Sequence, residues 1–233
     1  MEALLTLLRG LDWSPLWISL KTGVVATVLC FFLGLFAARG VLRLGGRGRA
    51  IVDGILTLPM VLPPTVAGFF LLLIFSLRRP LGSFLYEEMG IKVVQTWLGC
   101  ILAASVIAFP LMYRNARAAF EQVDENLILA GRTLGMSERA IFWRVVIPAA
   151  GPGIASGTIL TFARALGEYG ATSMLAGNIA GKTGTISQKI ATAISQNGDY
   201  KTAGVWVVIV MLIAFAIVVA MNLVTGGKNR RRW

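Results

Sequence analysis

Residues 203–224 read AGVWVVIVMLIAFAIVVAMNLV and carry no charged side chain. A helix of about 20 apolar residues crosses the hydrocarbon core of a bilayer, so this stretch is long enough to span one. The whole chain is also rich in apolar residues: 56% of its 233 residues are hydrophobic, 14% are charged, and its mean hydropathy is +0.75. These values predict a membrane protein rather than an ordinary soluble domain.

Four further windows are long and apolar enough to span a membrane. They are Trp17–Ala38, Ile51–Phe75, Thr96–Tyr113 and Ile147–Leu166. The first is too long for the core of a secretion signal, and no cleavage-type sequence follows it before Arg39. Internal repeats are absent from the sequence. We therefore expect an all-α integral membrane protein with about five transmembrane helices, forming one domain over residues 1–233.

The net charge of +11 is distributed in short basic clusters between the apolar windows, which favours the positive-inside rule over nucleic-acid binding. One side receives Arg39, Arg43, Arg47, Arg49, Arg114, Arg117, Arg132, Arg139, Arg144, Lys228, Arg230, Arg231 and Arg232. The other side receives Arg9, Lys21, Arg78, Arg79, Lys92, Lys182, Lys189 and Lys201. This bias predicts an N-terminus outside the cell and a C-terminus in the cytoplasm.

A nucleotide-binding lookalike, AGNIAGKT, occupies residues 176–183. A phosphate-binding loop needs a strand before its glycines and a helix after them, so that backbone N–H groups converge on the anion. This stretch instead follows a predicted membrane span, on the side that we assign to the outside. We interpret it as a glycine-rich turn that does not bind ATP.

Side chains for catalysis or metal binding are few. The sequence has no histidine, the commonest proton shuttle and a usual metal ligand. Cys30 and Cys100 are isolated, which favours two buried thiols over a disulfide or a metal site. We therefore predict no catalytic residue, no metal and no cofactor in this chain, and an intramembrane enzyme is poorly supported.

The second window contains the helix breakers of TLPMVLPPT, residues 57–65. Because proline lacks a backbone N–H, the middle of this window cannot keep a continuous hydrogen-bond ladder. Interrupted helices at membrane depth occur where they line a cavity or pack inside the protein. Pro63 and Pro64 are therefore candidates for a transport pathway, and a kink that serves packing alone is an equal alternative.

The fourth window carries a polar stripe. Gly157, Thr161, Arg164 and Glu168 recur at helical spacing, with Thr158 alongside. Lipid penalises such groups, so the stripe should face the protein interior or an aqueous path. Arg164 and Glu168 can pair at i, i+4. The stripe is thus either a neutralised packing device or part of a gate.

A segment of about residues 170–202 is predicted to form an outer surface. Within it, Ile186, Ile190 and Ile194 recur every four residues. The stretch is too polar and too short to span the bilayer, so an amphipathic helix at the outer mouth is expected.

The loop of about residues 124–144 is the longest one on the predicted cytoplasmic side, and we call it the elbow. Asp124 can cap a helix that runs to Leu134, Gly135 suits a left-handed stop, and Ser137 can cap a second helix that reaches Pro148. The first helix offers a face of small and apolar residues: Leu127, Ile128, Ala130, Gly131 and Leu134. Docking to a partner protein and packing on the chain's own bundle are both compatible with it.

The elbow also resembles the coupling motif of ABC-importer permeases, which reads EAA, three free positions, Gly, nine free positions and I-x-L-P. Ala130, Gly135 and Pro148 match at that spacing. Leu129 stands in place of the glutamate and Gly131 in place of the second alanine. Val145 and Ile147 replace the motif's isoleucine and leucine.

Other stretches narrow this resemblance to the molybdate branch and extend it over nearly the whole chain. They are LPMVLPPTVAGFFLLL (58–73), FPLMYRNARAAFEQVD (109–124), FARALGEYGAT (162–172) and the GNIAGKTGTI that follows. Sulfate and thiosulfate permeases share the run from Ala163 to Ala171, but five spans and 233 residues favour the molybdate branch.

The resemblance implies a type I ABC-importer permease fold, in which two copies of the chain form a pathway for molybdate and possibly tungstate. It further implies that a separate ATPase subunit binds ATP and Mg²⁺ and docks on Ala130, Gly131, Leu134, Gly135 and Pro148. An external binding protein would deliver the oxyanion. The alternatives are a sulfate permease and a membrane scaffold that transports nothing.

Overall fold

The computed structural model describes residues 10–196 and 198–226, and this part of the chain is helical without strands. The helices are α1 (Ser14–Leu42), α2 (Gly46–Val61), α3 (Pro64–Phe75), α4 (Pro80–Glu87), α5 (Trp97–Glu121), α6 (Glu125–Thr133), α7 (Glu138–Ile141), α8 (Ile147–Leu166), α9 (Gly170–Ala176), α10 (Ile186–Ser195) and α11 (Tyr200–Gly226). A π-helical turn, Phe142–Val146, joins α7 to α8. Arg9 and the basic tail from Lys228 onward, counted in the charge analysis, lie outside the described residues.

Three of the long helices, α1, α5 and α8, form the core. Small residues occupy their contacts, including Ala26 on α1, Ala108 on α5 and Ala150 on α8, all of them buried. A Cβ on Gly34 would lie 2.8 Å from Cγ of Met112, so glycine is needed for α1 to approach α5 this closely. Small residues are the usual means of close helix packing in membranes, where water does not drive association.

The second predicted window is a bent pair of helices. α2 ends at Val61 and α3 begins at Pro64, and the two axes differ by 108°. Leu62 is extended because the ring of Pro63 disfavours a helical conformation in the preceding residue. The interruption predicted from the prolines is confirmed, and it takes the form of a sharp bend between α2 and α3. With this pair taken as one span, the described chain has five candidate membrane spans.

The elbow has two limbs: the first is α6, and the second begins with α7. The first limb has the predicted caps at both ends. The Asp124 carboxylate accepts a hydrogen bond from the backbone N–H of Asn126, at 2.9 Å. At the other end Gly135 has φ +72°, its N–H donates to the Arg132 carbonyl, and the Met136 N–H donates to the Gly131 carbonyl. These paired bonds form a Schellman stop, which requires the left-handed residue that glycine supplies most easily.

The second limb is longer than expected. It starts where predicted, because the Ser137 hydroxyl accepts from the N–H of Ala140, but it does not end at Pro148. Instead α7, the π-helical turn and α8 form one continuous helical segment from Glu138 to Leu166. A proline clashes with the carbonyl four residues earlier in a regular helix. The wider π-helical turn ends at Val146, two residues before Pro148, and accommodates the ring, so the second limb of the elbow and the fourth span are one element.

The outer segment contains a turn and a short helix. After α9, Gly177 adopts φ +68°, and the Ile179 carbonyl accepts bonds from the N–H groups of Lys182, Thr183 and Gly184. A helix, not a strand, precedes this turn, so it lacks the framework of a phosphate-binding loop.

The predicted isoleucine stripe of α10 is only partly buried, because Ile186 is enclosed whereas Ile190 is half-buried and Ile194 is exposed. Gln188 is buried in their place, with its side chain bonded to Thr185, Ser173 and Gly177. The buried face of α10 therefore differs from the predicted one, because it includes Gln188 and leaves Ile194 exposed. The hydrogen bonds of Gln188 offset the cost of burying its amide.

Candidate functional site

The structure brings the bent span and the polar stripe together. A Cβ on Gly68 of α3 would lie 2.6 Å from Cα of Ala171, and a Cβ on Gly170 would lie 3.0 Å from Cβ of Pro64. α9 therefore packs on the start of α3, directly after the bend. The proline candidates and the Arg164–Glu168 candidates, distant in sequence, meet through the segment 167–171.

The Arg164–Glu168 pair forms as predicted. Nη1 of Arg164 lies 2.7 Å from Oε2 of Glu168, and Oε1 of Glu168 accepts from the N–H of Ala171 at 2.9 Å. The Glu168 side chain is 2% exposed, whereas that of Arg164 is 37% exposed. The Glu168 carboxylate thus fixes the start of α9. The Arg164 guanidinium neutralises this carboxylate and stays partly accessible to solvent.

The remaining stripe residues have different surroundings. Thr161 is fully buried and donates its hydroxyl to the Gly157 carbonyl at 2.7 Å. Thr158 is half-buried and donates to the Ile154 carbonyl. A Cβ on Gly157 would lie 2.6 Å from Cβ of Asn115, so this glycine lets α8 contact α5. These three residues make contacts within the protein, whereas the guanidinium of Arg164 is the more accessible polar group of the stripe.

The prolines at the bend also differ in accessibility. Pro63 is exposed and Pro64 is half-buried. The Pro63 carbonyl accepts from the N–H groups of Val66 and Ala67, which starts α3. Both prolines therefore define where the bent span changes direction.

The predicted elbow residues separate into an outer and an inner set. Ala130, Leu134 and Gly135 are exposed, and Leu134 is 80% exposed. Gly131 is buried, and a Cβ there would lie 3.1 Å from Cγ1 of Ile141, so this glycine lets the two limbs approach. Ile128, predicted on the same apolar face, lines a cavity of about 210 Å³ between the elbow and the end of α1, which agrees with the alternative of packing on the chain's own bundle.

Pro148 also lies apart from this outer set. It is exposed at the beginning of α8, beyond the π-helical turn. It therefore belongs to the continuation of the second limb.

The elbow is anchored to the core through Phe142. Its ring lies 5.5 Å from the ring of Phe120, edge to face, and the Arg39 guanidinium carbon lies 3.6 Å from its centroid. The two limbs are joined as well, because Nε of Arg132 donates to Glu138 at 2.7 Å. This bond raises the pKa of Arg132 above its ordinary value and keeps the cation charged.

A group of polar side chains between α2 and α5 was not anticipated from sequence. Oδ1 of Asp53 accepts from the Tyr113 hydroxyl at 2.7 Å and from Nη1 of Arg117. Oε1 of Glu121 accepts from Nε of Arg117 at 3.2 Å and from Nη2 of Arg49. We call these five residues the α2–α5 ion network. One signal for it was present, since Asp53 is an ionisable residue inside the second predicted window.

Groups suited to redox or metal chemistry are sparse in the described residues. No cluster of three or more Cys, Asp or Glu side chains there has a geometry for a metal. Cys30 and Cys100 are buried and donate to the carbonyls of Ser105 and Thr183. These surroundings give each thiol a packing role.

These features define a class of protein: a polytopic helical membrane protein with a bent span, an ion pair with a buried carboxylate beside the bend, and an exposed capped elbow. The family model "Binding-protein-dependent transport system inner membrane component" matches residues 31–225. The chain belongs to this family of ABC-importer permeases, whose members are not enzymes themselves.

Curated relatives place it in the molybdate and sulfate branch. It is 37% identical to the molybdenum transport system permease protein ModB of Escherichia coli K12, over 94% of this chain and 96% of the relative. It is 36% identical to the putative molybdenum permease YvgM of Bacillus subtilis, over 87% and 89%. It is 30% identical to the sulfate transport system permease CysT of Salmonella typhimurium, over 99% and 87%.

Solved structures support the fold. An inward-facing form of the MetNI methionine ABC transporter matches with a TM-score of 0.68 at 19% identity, covering 97% of this chain and 98% of that chain. A bacterial ABC transporter that imports alginate matches with a TM-score of 0.68 at 17% identity, covering 92% and 79%. The expected type I ABC-importer permease fold is thereby confirmed.

Proposed function

We propose that this chain is the membrane subunit of an ATP-driven molybdate importer, and that two identical copies form the pathway. The observation that supports molybdate most directly is the identity of 33–37% to the molybdenum permeases, against 30–32% to the sulfate permeases. Sulfate is the second candidate, because the sulfate relatives match over nearly the whole chain. Tungstate, which is chemically close to molybdate, is a further expected substrate.

The proposed partners follow from the class. A separate ATPase subunit, which binds ATP and Mg²⁺, docks on the exposed part of the elbow around Ala130, Leu134 and Gly135. A molybdate-binding protein delivers the anion to the outer segment, residues 170–202. In this proposal residues 1–233 act as one permease domain, with the N-terminus outside and the elbow and C-terminus in the cytoplasm.

Transport requires the elbows of the two copies to move when the ATPase closes. The elbow's second limb is continuous with α8, so displacement at Ser137 tilts the helix that carries Arg164. Arg164 contacts Glu168, and Glu168 holds α9 against the bent span. A rigid element that connects the docking surface to the bend offers a physical route for switching between inward-open and outward-open states.

Selectivity in this scheme comes mainly from the delivering protein. Arg164 is the basic residue of the polar stripe, and its charge is neutralised by Glu168 at 2.7 Å. A single neutralised arginine does not replace the hydration of a dianion, so the permease provides a low-affinity polar path.

Uptake measurements test the proposal. Molybdate accumulation at low external concentration is compared in cells with and without the chain, with excess sulfate as competitor. Uptake that depends on the chain and resists sulfate supports the molybdate assignment. Dependence on the chain only when sulfate is the labelled anion would assign it to sulfate, and normal accumulation of both anions without it would favour the non-transporting scaffold.

A further inference from the structure

We propose that the α2–α5 ion network couples the elbow to the bent span, with Asp53 and Arg117 as positioning residues for transport. The inference rests on the proposed function, because it assigns a route for movement within that cycle. It is independent of which oxyanion is imported.

The network joins the helix that leads into the bend to the helix that leads into the elbow. Glu121 is the last residue of α5, and the elbow starts at Asp124. On the other side, Asp53 lies in α2, which ends at the 108° bend. Displacement of the elbow can therefore pass into α5 as well as into α8, and the network is where α5 holds α2.

The elbow is fixed firmly to this end of α5. The rings of Phe120 and Phe142 are 5.5 Å apart, and a Cβ on Gly153 would lie 2.7 Å from Cβ of Ala119. Because closely packed side chains are hardly compressible, movement of the elbow at these contacts moves the end of α5 as well. The end of α5 and the root of the elbow are thus expected to move together.

α2 has few other attachments. No residue of α2 is fully buried, and its apolar contacts with the core come from the partly buried Val52 and Leu56. The hydrogen bonds of the network hold α2 more strongly than these apolar contacts do. Hydrogen bonds between charged groups are stronger than those between neutral groups, and Arg117 and Asp53 are partly shielded from water. Without the network, α2 would pack on α5 through a weak apolar contact and would not follow it.

The pattern of bonds also resists sliding. Arg117 contacts Asp53 with one nitrogen and Glu121 with another, and Glu121 in turn contacts Arg49. Asp53 additionally accepts from Tyr113, one turn before Arg117 on α5. Two positions on α2 are therefore held by three positions on α5, which fixes both the register and the rotation of α2.

The test uses the complete transporter, reconstituted in liposomes with its ATPase and binding protein, and measures anion transported per ATP hydrolysed. Asp53→Asn keeps the shape of the side chain but removes its charge. We expect about a tenfold fall in that ratio, which corresponds to the loss of one hydrogen bond to a charged group. The amount of assembled complex is measured alongside.

Control variants separate coupling from simple loss of structure. Arg47→Gln removes the charge of an exposed side chain at the start of α2 that forms no ion pair with a described residue, and it is expected to leave the ratio unchanged. Tyr113→Phe removes one bond of the network and should lower the ratio less. Exchanging the charges, with Asp53→Lys combined with Arg117→Glu, should recover part of the loss.

The outcomes are distinct. A ratio unchanged in assembled Asp53→Asn and Tyr113→Phe complexes would overturn the inference, as would a charge exchange no better than Asp53→Lys alone. If the wild type imports sulfate and not molybdate, the proposed substrate is wrong, and the same ratio measured with sulfate decides the inference.

Discussion

At the scale of single residues, Gly68 is a position where the structure leaves no room for a side chain. A Cβ there would lie 2.6 Å from Cα of Ala171 and 2.9 Å from its carbonyl oxygen. Both are backbone atoms, so α9 would have to move. We expect Gly68→Ala to lower the free energy of unfolding by about 1–3 kcal/mol, the usual range for overpacking. Thermal unfolding of the purified permease in detergent measures this.

Gly54 provides the matched control, since it is also helical and a Cβ there meets no atom within 4 Å. Alanine favours a helix over glycine by up to about 1 kcal/mol, so Gly54→Ala should leave stability unchanged or raise it. Equal loss of stability in both variants would contradict the packing of α9 on α3.

Arg164 gives a second prediction at this scale. Without its guanidinium the buried Glu168 carboxylate keeps only the Ala171 N–H as a partner. We expect Arg164→Ala to weaken assembly or gating, at a cost of about 1–3 kcal/mol because the arginine is partly exposed. Uptake as a function of anion concentration should keep its midpoint while its maximum falls. A variant that assembles normally and changes only that midpoint would show that Arg164 binds substrate.

At the scale of elements, the elbow depends on the stop at Gly135. Proline cannot adopt the φ of +72° found there, and it would remove the N–H that donates to Arg132. Gly135→Pro should therefore redirect the second limb and uncouple ATP hydrolysis from transport. The measurement is molybdate uptake together with ATPase activity in the assembled complex.

Asparagine tolerates the left-handed conformation better than other non-glycine residues. Gly135→Asn should therefore retain most of the uptake that Gly135→Pro loses. Normal uptake with proline at this position would remove the elbow from the coupling route.

The positions of most long helices could be predicted from the sequence. Apolar length predicted the spans, prolines predicted the break near Pro63, and Asp124, Gly135 and Ser137 predicted the limits of the elbow, because each of these signals is local. The continuation of the elbow into α8 was missed, since a proline at position 148 reads equally well as a helix end and only the π-helical turn makes room for it.

Contacts between distant elements were less accessible. The Arg164–Glu168 pair was predicted because i, i+4 neighbours meet on any helix. The pairing of Asp53 with Arg117 depends on where the 108° bend directs α2, which no local pattern specifies. The functional roles of the elbow surface and of the stripe stay predictions.

At the scale of the whole molecule, large apolar side chains cover the outer faces of several helices. On α11 they include Met211, Leu212 and Phe215, each more than half exposed. In water, a protein with such a surface would aggregate. Lipid tails are as apolar as these side chains, so exposing the side chains to lipid has no free-energy penalty. Large apolar residues at the bend, such as Val61, are exposed as well, and the second copy would cover part of this apolar exposure in the proposed pair.

The orientation of the whole molecule in the membrane yields the final prediction. The positive-inside rule assigns the beginning of α2, around Gly48, to the cytoplasm and the turn around Lys182 to the outside. Both positions are exposed, and the native Cys30 and Cys100 are fully buried, so they give little background to a thiol reagent. A membrane-impermeant maleimide should label Lys182→Cys but not Gly48→Cys in intact spheroplasts, and both after lysis. The reverse pattern would place the elbow, which lies on the same side as Gly48 by span parity, away from any cytoplasmic ATPase.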